Sequence, residues 1–280
     1  MKSTNLLIIG LILLVVTACG TGHQKREKNM SNGSRTQVHF ETTLGNFTVE
    51  LYNETPLHRE NFIKLVQEGL YDETLFHRVI KQFMIQAGDP DSKTASDTAS
   101  LGAGDVGYTI PAEMKTPFFH QKGALAAARQ GDEVNPEKAS SGCQFYIVTG
   151  RKFSEAQLQG MEIQMNEQRE GAIFDTLARN HMKEIYKMRK ANDNAGLLAL
   201  QDKLEAEARE LADKEEKHRF TPEQLQAYTT VGGAPHLDGG YTIFGQITEG
   251  METVENIEKA KTNRGDRPTT DIRILKATVK

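Results

Sequence analysis

The most informative stretch of this 280-residue chain reads LFHRVIKQFMIQAGD and occupies residues 75–89. Apolar residues stand on both sides of a Lys-Gln pair, which predicts two short strands joined by a bend. If the register holds through the bend, one face carries Arg78, Ile80, Met84 and Gln86. An Arg is costly to bury among apolar neighbours unless it has a function. An edge strand that leaves Arg78 in solvent is the alternative that this pattern leaves open.

Four blocks of the chain resemble, in the same order, the signature of cyclophilin-type peptidyl-prolyl isomerases. Residues 76–89 resemble FHR, two hydrophobic residues, two variable residues and FM-x-QGGD, and only the first Gly of that pair differs, as Ala87. GALAAAR at 123–129 resembles G-x-L-x-M-A-N, SGCQFYI at 141–147 resembles N-G-S-Q-F-F-I, and LDGGYTIFG at 237–245 resembles LDG-x-x-x-VFG. Four ordered blocks argue against a chance similarity.

The resemblance covers about residues 37–151 and 227–280, and it implies the fold. Cyclophilins are mainly β with helices, and their closed antiparallel β-barrel of about eight strands is capped by helices at its ends. We therefore expect a cyclophilin-like domain over residues 37–280, with an inserted helical hairpin over residues 154–220.

The resemblance also implies the activity, which is cis-trans isomerisation of X-Pro bonds in proline-containing polypeptides without a cofactor. Arg78 is expected to stabilise the twisted amide, because its guanidinium is always charged and offers forked donors. Gln86 is expected to be the second catalytic residue and to hold the substrate backbone or orient Arg78. The expected substrate-binding residues are Ile80, Phe83, Met84, Ala128, Arg129, Gln144, Tyr146, His236, Leu237 and Tyr241.

Several of these positions depart from the family pattern. The family's Asn after Ala is Arg129 here, so backbone recognition on that side is expected to differ. The second Phe of the QFF block is Tyr146, which keeps the ring but adds a hydroxyl. His236 stands where relatives often have Trp or Phe, which argues against tight cyclosporin binding more than against catalysis. Tyr241 occupies a position that is often His.

The N-terminus has the pattern of an export signal. Lys2 precedes an apolar run over residues 6–16, which is too short for a spanning helix of about 20 residues. The run ends in VTAC at residues 16–19, which resembles a bacterial lipobox and predicts a signal peptide over 1–18 with lipid on the sulfur of Cys19. Ordinary secretion, with Cys19 incidental, is the alternative.

The polar segment 19–36 is predicted to be a flexible tether between the lipid and the domain. These features together predict a protein of the bacterial cell envelope that is lipid-anchored to a membrane and faces the periplasm. The chain has two Cys. If Cys19 is lipidated, Cys143 has no partner within the chain, so no disulfide framework is expected.

Charge and residue spacing argue against several other classes of protein. The formal net charge is −4 and shows no basic footprint, so no nucleic-acid partner is expected. The eight His are scattered without metal-ligand spacing, and the Asp-rich loop at 91–108 lacks the spacing of a calcium loop. No metal site is therefore expected.

An early helix is predicted after Thr55, which is the candidate N-cap and precedes a Pro at the first helical position. Its His58 is expected to be a surface residue. The buried stripe of this helix is expected to be Leu57, Asn61, Phe62, Leu65 and Val66.

The segment that the family resemblance leaves unexplained is predicted to be helical. Capping boxes begin at Ser154 and Thr221, and residues 192–196 interrupt the apolar periodicity between them. This pattern predicts an antiparallel helical hairpin and a short helix, with both ends returning to one place on the barrel surface. The insert is either a solvated excursion without a partner or a docking arm for substrate or for another envelope protein.

Two functions from different classes follow from these features. The first is a working isomerase that assists the folding of exported proteins. The second is a proline-peptide binding or chaperone module that has lost most catalysis and uses the insert as its main surface. Intact Arg78, Phe83, Met84 and Gln86 favour the first.

Overall fold

The computed structural model describes residues 33–115 and 117–280, and the helices and strands described below lie within Arg35–Lys280. The strands in chain order are β1 (Gln37–Thr42), β2 (Gly45–Leu51), β3 (Arg78–Ile80), β4 (Met84–Ala87), β5 (Thr109–Ile110), β6 (Ala124–Ala127), β7 (Ser140–Ser141), β8 (Phe145–Val148), β9 (Ile243–Glu249) and β10 (Ile274–Val279). Strands β5 and β7 pair with each other, and the other eight form one antiparallel sheet in the order β10-β1-β2-β9-β6-β8-β4-β3.

The helices in chain order are α1 (Pro56–Gln67), α2 (Glu155–Asn180), α3 (Met182–Ala191), α4 (Asn194–Asp213), α5 (Pro222–Thr230) and α6 (Met251–Glu258). Short 3-10 helices span Pro90–Thr94 and Pro235–Leu237. Within the described ranges, no helix is long and apolar enough to cross a membrane. The predicted signal peptide, Cys19 and most of the predicted tether lie outside the described residues.

The mixture of strands and helices is confirmed, but the closed form of the barrel is not. The edge strands β3 and β10 form no ladder with each other in the described part of the chain. The two edges meet around the isolated bridge between Leu75 and Arg273, where backbone hydrogen bonds join residues 73–76 to residues 272–274. Strand β3 has only three residues, and its Val79 N–H donates to the carbonyl of Asp266 at 2.8 Å. The loop around Asp266 therefore takes the edge position that a closing strand would need, and the sheet is a curled half-barrel.

The main core follows from the alternation of side chains along the strands. Phe40 of β1 and Phe47 of β2 are buried and stack at 4.8 Å between ring centroids, and Phe62 of α1 lies 6.2 Å from Phe40. Burying each such ring contributes roughly 1.5–3 kcal/mol. On β4, Ile85 packs into this core, whereas Met84 packs into a second cluster on the other face of the sheet. That second face carries the predicted site residues.

Helix α1 begins where the sequence predicts, but it is capped differently. The side chain of Thr55 makes no capping hydrogen bond. Instead the backbone N–H groups of Leu57 and His58 donate to the two carboxylate oxygens of Glu113, at 3.1 and 2.9 Å. A carboxylate at a helix N-terminus is favourable because it complements the unpaired N–H groups and the helix dipole.

His58 is buried, so its expected surface position is wrong. Its Nδ1 lies 2.7 Å from Oε2 of Glu113, and its Nε2 lies 2.9 Å from the Ser140 hydroxyl. Burial opposes ionisation of Glu113, but the hydrogen bonds from the His58 ring and from the two backbone N–H groups lower its pKa. Leu57, expected to be buried, is 51 % exposed because the His58 side of the helix faces the domain.

The insert contains the predicted helical hairpin. The capping boxes at Ser154 and Thr221 are both formed. Helices α2 and α4 run antiparallel, and Arg209 Nε of α4 lies 3.5 Å from Glu170 of α2. At its base, the Phe153 N–H donates to the Tyr228 carbonyl at 3.0 Å, so the two ends do return to one place.

The structure has one more helix in this segment than the pattern predicts. The backbone departs from helical geometry at His181, with φ −98° and ψ 9°, and this separates α3 from α2. The hairpin therefore consists of a long, interrupted first arm and the single helix α4 as its return arm.

Candidate active site

A cleft of about 130 Å³ lies on the second face of the sheet. All of its lining residues belong to the predicted set, and they are Arg78, Phe83, Met84, Gln86, Ala128, Arg129, Tyr146, Leu237 and Tyr241. Gln144 lines the adjoining groove, Ile80 packs against the same apolar cluster, and the His236 ring lies 5.2 Å from the Phe83 ring. The fold therefore brings the predicted residues together.

The β3–β4 hairpin places the polar and apolar parts of the cleft. Arg78 pairs opposite Gln86, and Ile80 pairs opposite Met84. Strand β4 also pairs with β8, which puts Gln86 opposite Tyr146. The predicted sharing of one face by these side chains is confirmed.

Gly88 follows β4 directly, at a position that only Gly can occupy. Its φ is +90°, and an added Cβ would collide with the carbonyl oxygen of Cys143. Ala87, which replaces the family's first Gly, lies within β4 opposite Phe145 and is fully buried in the main core. A methyl group is therefore accommodated at Ala87 but not at Gly88.

Arg78 lies on an edge strand and also faces the cleft. Its side chain is 44 % exposed, so the edge-strand alternative describes its strand correctly. Its Nη1 lies 3.4 Å from Oε1 of Gln86, and its Nε lies 3.6 Å from the carboxylate of Asp266. An exposed ion pair of this kind contributes little stability. Sequence reasoning missed Asp266.

A chain of side-chain amides fixes the orientation of Gln86. Nε2 of Gln144 donates to the carbonyls of Gly102 and Gly104 at 3.0 and 2.8 Å. Oε1 of Gln144 then accepts from Nε2 of Gln86 at 3.0 Å. This assignment leaves Oε1 of Gln86 to accept from Arg78. The donor groups of Arg78 are thus held at the mouth of the cleft by a directed chain that ends on backbone carbonyls.

The floor of the cleft is apolar. Met84 and Tyr146 are buried at 2 % and 5 % exposure, and Phe83 and Leu237 pack against the same cluster. The rings of Tyr146 and Tyr241 meet edge to face, with centroids 5.8 Å apart. These walls form a small apolar pocket beside a cationic donor.

The hydroxyl of Tyr146 is tied to residues that sequence reasoning missed. It lies 2.9 Å from Nε2 of fully buried His120, whose Nδ1 lies 2.8 Å from Oδ1 of Asp238. The other oxygen of Asp238 accepts from Gln224 Nε2 at 3.0 Å and from the Tyr228 hydroxyl. Burial raises the pKa of Tyr146 well above its ordinary value, so its hydroxyl stays protonated. The signal in the sequence was the added hydroxyl, because a buried Tyr needs a partner.

Arg129 is engaged by its own surroundings. Its guanidinium carbon lies 4.5 Å above the centre of the Tyr241 ring. Its Nε donates to the Gly240 carbonyl at 2.6 Å, and its Nη1 donates to Asp132 at 2.6 Å. Arg129 therefore lines the cleft as a support for Tyr241.

Two further features shape the walls of the site. Burial lowers the pKa of His236, so its neutral ring extends the apolar wall formed by Phe83. On the Gln144 side, the cleft opens into a groove of about 700 Å³ bounded by residues 102–109 and 128–144. Within the described ranges, no group of three His, Cys, Asp or Glu side chains is placed to hold a metal ion.

Comparison with known proteins shows the family. The model of the family described as cyclophilin type peptidyl-prolyl cis-trans isomerase matches residues 37–164 and 210–279. A Staphylococcus saprophyticus relative assigned as a peptidyl-prolyl cis-trans isomerase is 29% identical over 245 residues, covering 87% of this chain and 91% of that protein. A peptidyl-prolyl cis-trans isomerase-like 1 protein of Emericella nidulans is 26% identical over 246 residues, covering 87% and 94%.

A solved structure agrees with the fold. The crystal structure of a cyclophilin type peptidyl-prolyl cis-trans isomerase from Cryptosporidium parvum covers 88% of this chain and 98% of its own, with a TM-score of 0.51 and 18% identity. The chain belongs to the cyclophilin-type peptidyl-prolyl cis-trans isomerase family and has the cyclophilin fold. The part that the family model leaves unmatched, residues 165–209, falls within the helical hairpin.

Proposed function

We propose that this isomerase acts on X-Pro bonds of exported polypeptides and that Arg78 stabilises the twisted amide of the transition state. The reaction must overcome a barrier of about 18–20 kcal/mol, because rotation breaks the amide resonance. Twisting makes the amide nitrogen pyramidal and shifts charge, so a donor near that nitrogen favours the transition state over either planar isomer. No bond to the enzyme is needed.

The observation that carries this proposal is the position of Arg78 at the mouth of an apolar cleft. Gln86 accepts from Nη1 of the guanidinium, and the Asp266 carboxylate lies near Nε, so both partners favour an orientation in which the fork faces the cleft. Met84 and Tyr146 offer a floor for the proline ring. Gln86 acts mainly by positioning Arg78, because Gln144 fixes its amide.

The adjoining groove suits an extended polypeptide better than an isolated dipeptide. It continues from Gln86 and Ala128 along the loops that Gln144 holds in place. Residues that precede the proline have room there, and its wall offers backbone groups and small side chains. The substrate class is therefore a flexible proline-containing chain, such as an unfolded client.

An exchange assay on a short Ala-Pro peptide tests this function. Two-dimensional NMR exchange at equilibrium measures the isomerisation rate without a coupled protease. We expect a large acceleration over the uncatalysed reaction, in which one isomerisation takes roughly tens to hundreds of seconds. Peptide binding without acceleration would support the alternative of a proline-binding module.

The cellular setting is proposed from the leader sequence. The apolar run at 6–16 and the VTAC segment ending at Cys19 support export and lipid attachment in a bacterial envelope. Cys19→Ser is expected to move the protein from the membrane fraction to the soluble fraction. Retention of this variant in membranes after a carbonate wash would contradict the lipid anchor.

A further inference from the structure

Helix α3, Met182–Ala191, stands at the distal end of the hairpin. Helix α2 has 26 residues, so it carries α3 roughly 39 Å from the base near Phe153. Helix α4 begins at Asn194 and returns along α2, which the 3.5 Å contact between Arg209 and Glu170 shows. The outer end of the insert is therefore α3 and the turn that follows it.

The outer face of α3 concentrates positive charge. At 100° per residue, Lys183, Lys187 and Lys190 lie on the side opposite Ile185 and Met188. Ile185 and Met188 are partly buried, whereas the three lysines and Arg189 are exposed. The helix contains four cations and the single carboxylate of Glu184, in a chain whose formal net charge is −4.

The four cations of α3 form no ion pair among the described residues, whereas four cations nearer the base do. In the part of the chain that the structure describes, Lys183, Lys187, Arg189 and Lys190 make no ion pair. Closer to the base, the cations that face a carboxylate within 3.5 Å are Arg169 with Glu215, Arg209 with Glu170, Lys214 with Glu210, and Lys217 with Asp213. Among the described residues of the hairpin, Arg179, Lys203 and Arg219 also make no ion pair, so the tip differs in that four such cations lie within one ten-residue helix.

Large apolar side chains are exposed among these cations. Tyr186 is 67 % exposed and Met182 is 54 % exposed, and the two lie one turn apart on α3. Tyr186 lies about one helical turn from Lys183 and one turn from Lys190, so both lysines are its neighbours on the helix surface. An exposed aromatic ring surrounded by lysines is the pattern of a helix that rests in a membrane interface.

We propose that α3 docks the distal end of the insert onto an anionic lipid bilayer surface. A bilayer supplies mobile anionic headgroups to all four cations at once and an apolar layer for Tyr186 and Met182. An acidic protein would need carboxylates fixed at matching positions on a convex helical face. The proposal depends neither on the lipid anchor nor on the role of Arg78.

The test measures binding of the full chain to vesicles. The tip variant carries Lys183→Gln, Lys187→Gln, Arg189→Gln and Lys190→Gln, and the control carries Lys203→Gln, Lys214→Gln, Lys217→Gln and Arg219→Gln. Both remove the same charge and keep residues 1–32, so any contribution from the N-terminus is common to them. Each cation near an anionic surface contributes about fivefold in affinity. We expect the tip variant to lose on the order of a hundredfold or more on phosphatidylglycerol vesicles, and the control to stay close to the parent.

A second measurement reports insertion directly. The chain has no Trp, so Tyr186→Trp introduces a single Trp, whose emission can be excited selectively over that of the Tyr residues. Its emission is expected to shift to the blue with phosphatidylglycerol vesicles, much less with phosphatidylcholine vesicles, and less as salt is raised. Unchanged peptide isomerisation by the tip variant shows that it is folded.

Several outcomes would overturn the proposal. Equal vesicle binding by the tip and control variants would place the contact elsewhere. An unshifted Trp emission on anionic vesicles would remove α3 from the bilayer. Tip-dependent binding to polyglutamate, without tip-dependent binding to vesicles, would make this face a contact for acidic protein.

Discussion

The hydroxyl of Tyr146 lies 2.9 Å from Nε2 of His120, and the two rings are nearly parallel. The Tyr146 ring forms part of the apolar floor of the cleft, so His120 supports that floor. Asp238 faces the other nitrogen of His120 and accepts from Gln224 on α5. The pocket is therefore joined by buried hydrogen bonds to the helix at the base of the insert.

Tyr146→Phe is expected to lower stability more than activity. The change leaves the ring in place but leaves Nε2 of His120 buried without a partner, which costs about 1–3 kcal/mol. Urea unfolding measures this loss, and the peptide exchange assay measures activity. Tyr241→Phe is the matched control, because the Tyr241 hydroxyl makes no hydrogen bond within the described residues. Equal stability of the two variants would contradict the supporting role of His120.

His77 is expected to make stability depend on pH below neutrality. Burial lowers its pKa from 6.5 to about 4. Between these pH values the unfolded chain binds a proton that the folded chain does not, so stability falls as pH falls from 6.5 to 4. This one group contributes a loss of as much as about 3 kcal/mol.

The comparison of the parent with His77→Phe isolates that contribution. Phe keeps a ring at the site but cannot ionise. Chemical unfolding at pH 7, 5.5 and 4 should show that the free energy of unfolding falls less steeply for the variant. Parallel pH profiles would show that the folded protein protonates His77 as readily as the unfolded chain.

Only the part of the insert that lies beyond its base is expected to be dispensable for catalysis. Its charge pattern alone suggests that residues 155–219 are dispensable. The packing at the base argues against a cut at residue 155, because Leu158 is fully buried against Phe220 and Tyr228. Tyr228 in turn donates to Asp238. Losing a buried Leu costs about 2–5 kcal/mol, so a cut at residue 155 should damage the pocket support.

A shorter cut avoids this loss. Asn166 and His218 exchange two hydrogen bonds across the hairpin, and Arg169 lies 3.5 Å from Glu215. Replacing residues 170–214 by a short Gly/Ser linker keeps these contacts and should leave peptide activity close to that of the full chain. Replacing 155–219 should lower the thermal midpoint clearly. Equal loss of activity in both variants would show that the distal hairpin supports the pocket.

Much of the site is local in sequence, and that part could be predicted. Arg78, Met84 and Gln86 share a face because alternation along two adjacent strands decides it. The capping boxes at Ser154 and Thr221 are likewise set by residues three apart. The resemblance to the cyclophilin signature supplied the distant partners that alternation alone does not give.

The parts that sequence reasoning missed depend on the path of loops. Asp266 reaches Arg78, Glu113 caps α1, and Asp238 holds His120 only because distant loops pass close by. Each of these carboxylates lies more than 50 residues along the chain from its partner, so no local pattern joins the two. The surface position expected for His58 is wrong for the same reason, because helical periodicity gives no information about the buried Glu113 carboxylate that contacts its ring. The sheet is not closed at β3 because the loop around Asp266 lies along that edge.

Stabilisation of the twisted amide by Arg78 is tested most directly by comparing Arg78→Ala with Lys81→Ala in the peptide exchange assay. Lys81 is an exposed cation in the turn of the same hairpin, so its removal controls for net charge and for local folding. We predict that Arg78→Ala lowers kcat/KM by about two to three orders of magnitude, the scale for losing one oriented donor, or roughly 2.7–4 kcal/mol. Arg78→Lys should also be poor, because a point charge lacks the fork, and Lys81→Ala should match the parent. A folded Arg78→Ala enzyme with parental kcat/KM would contradict the account.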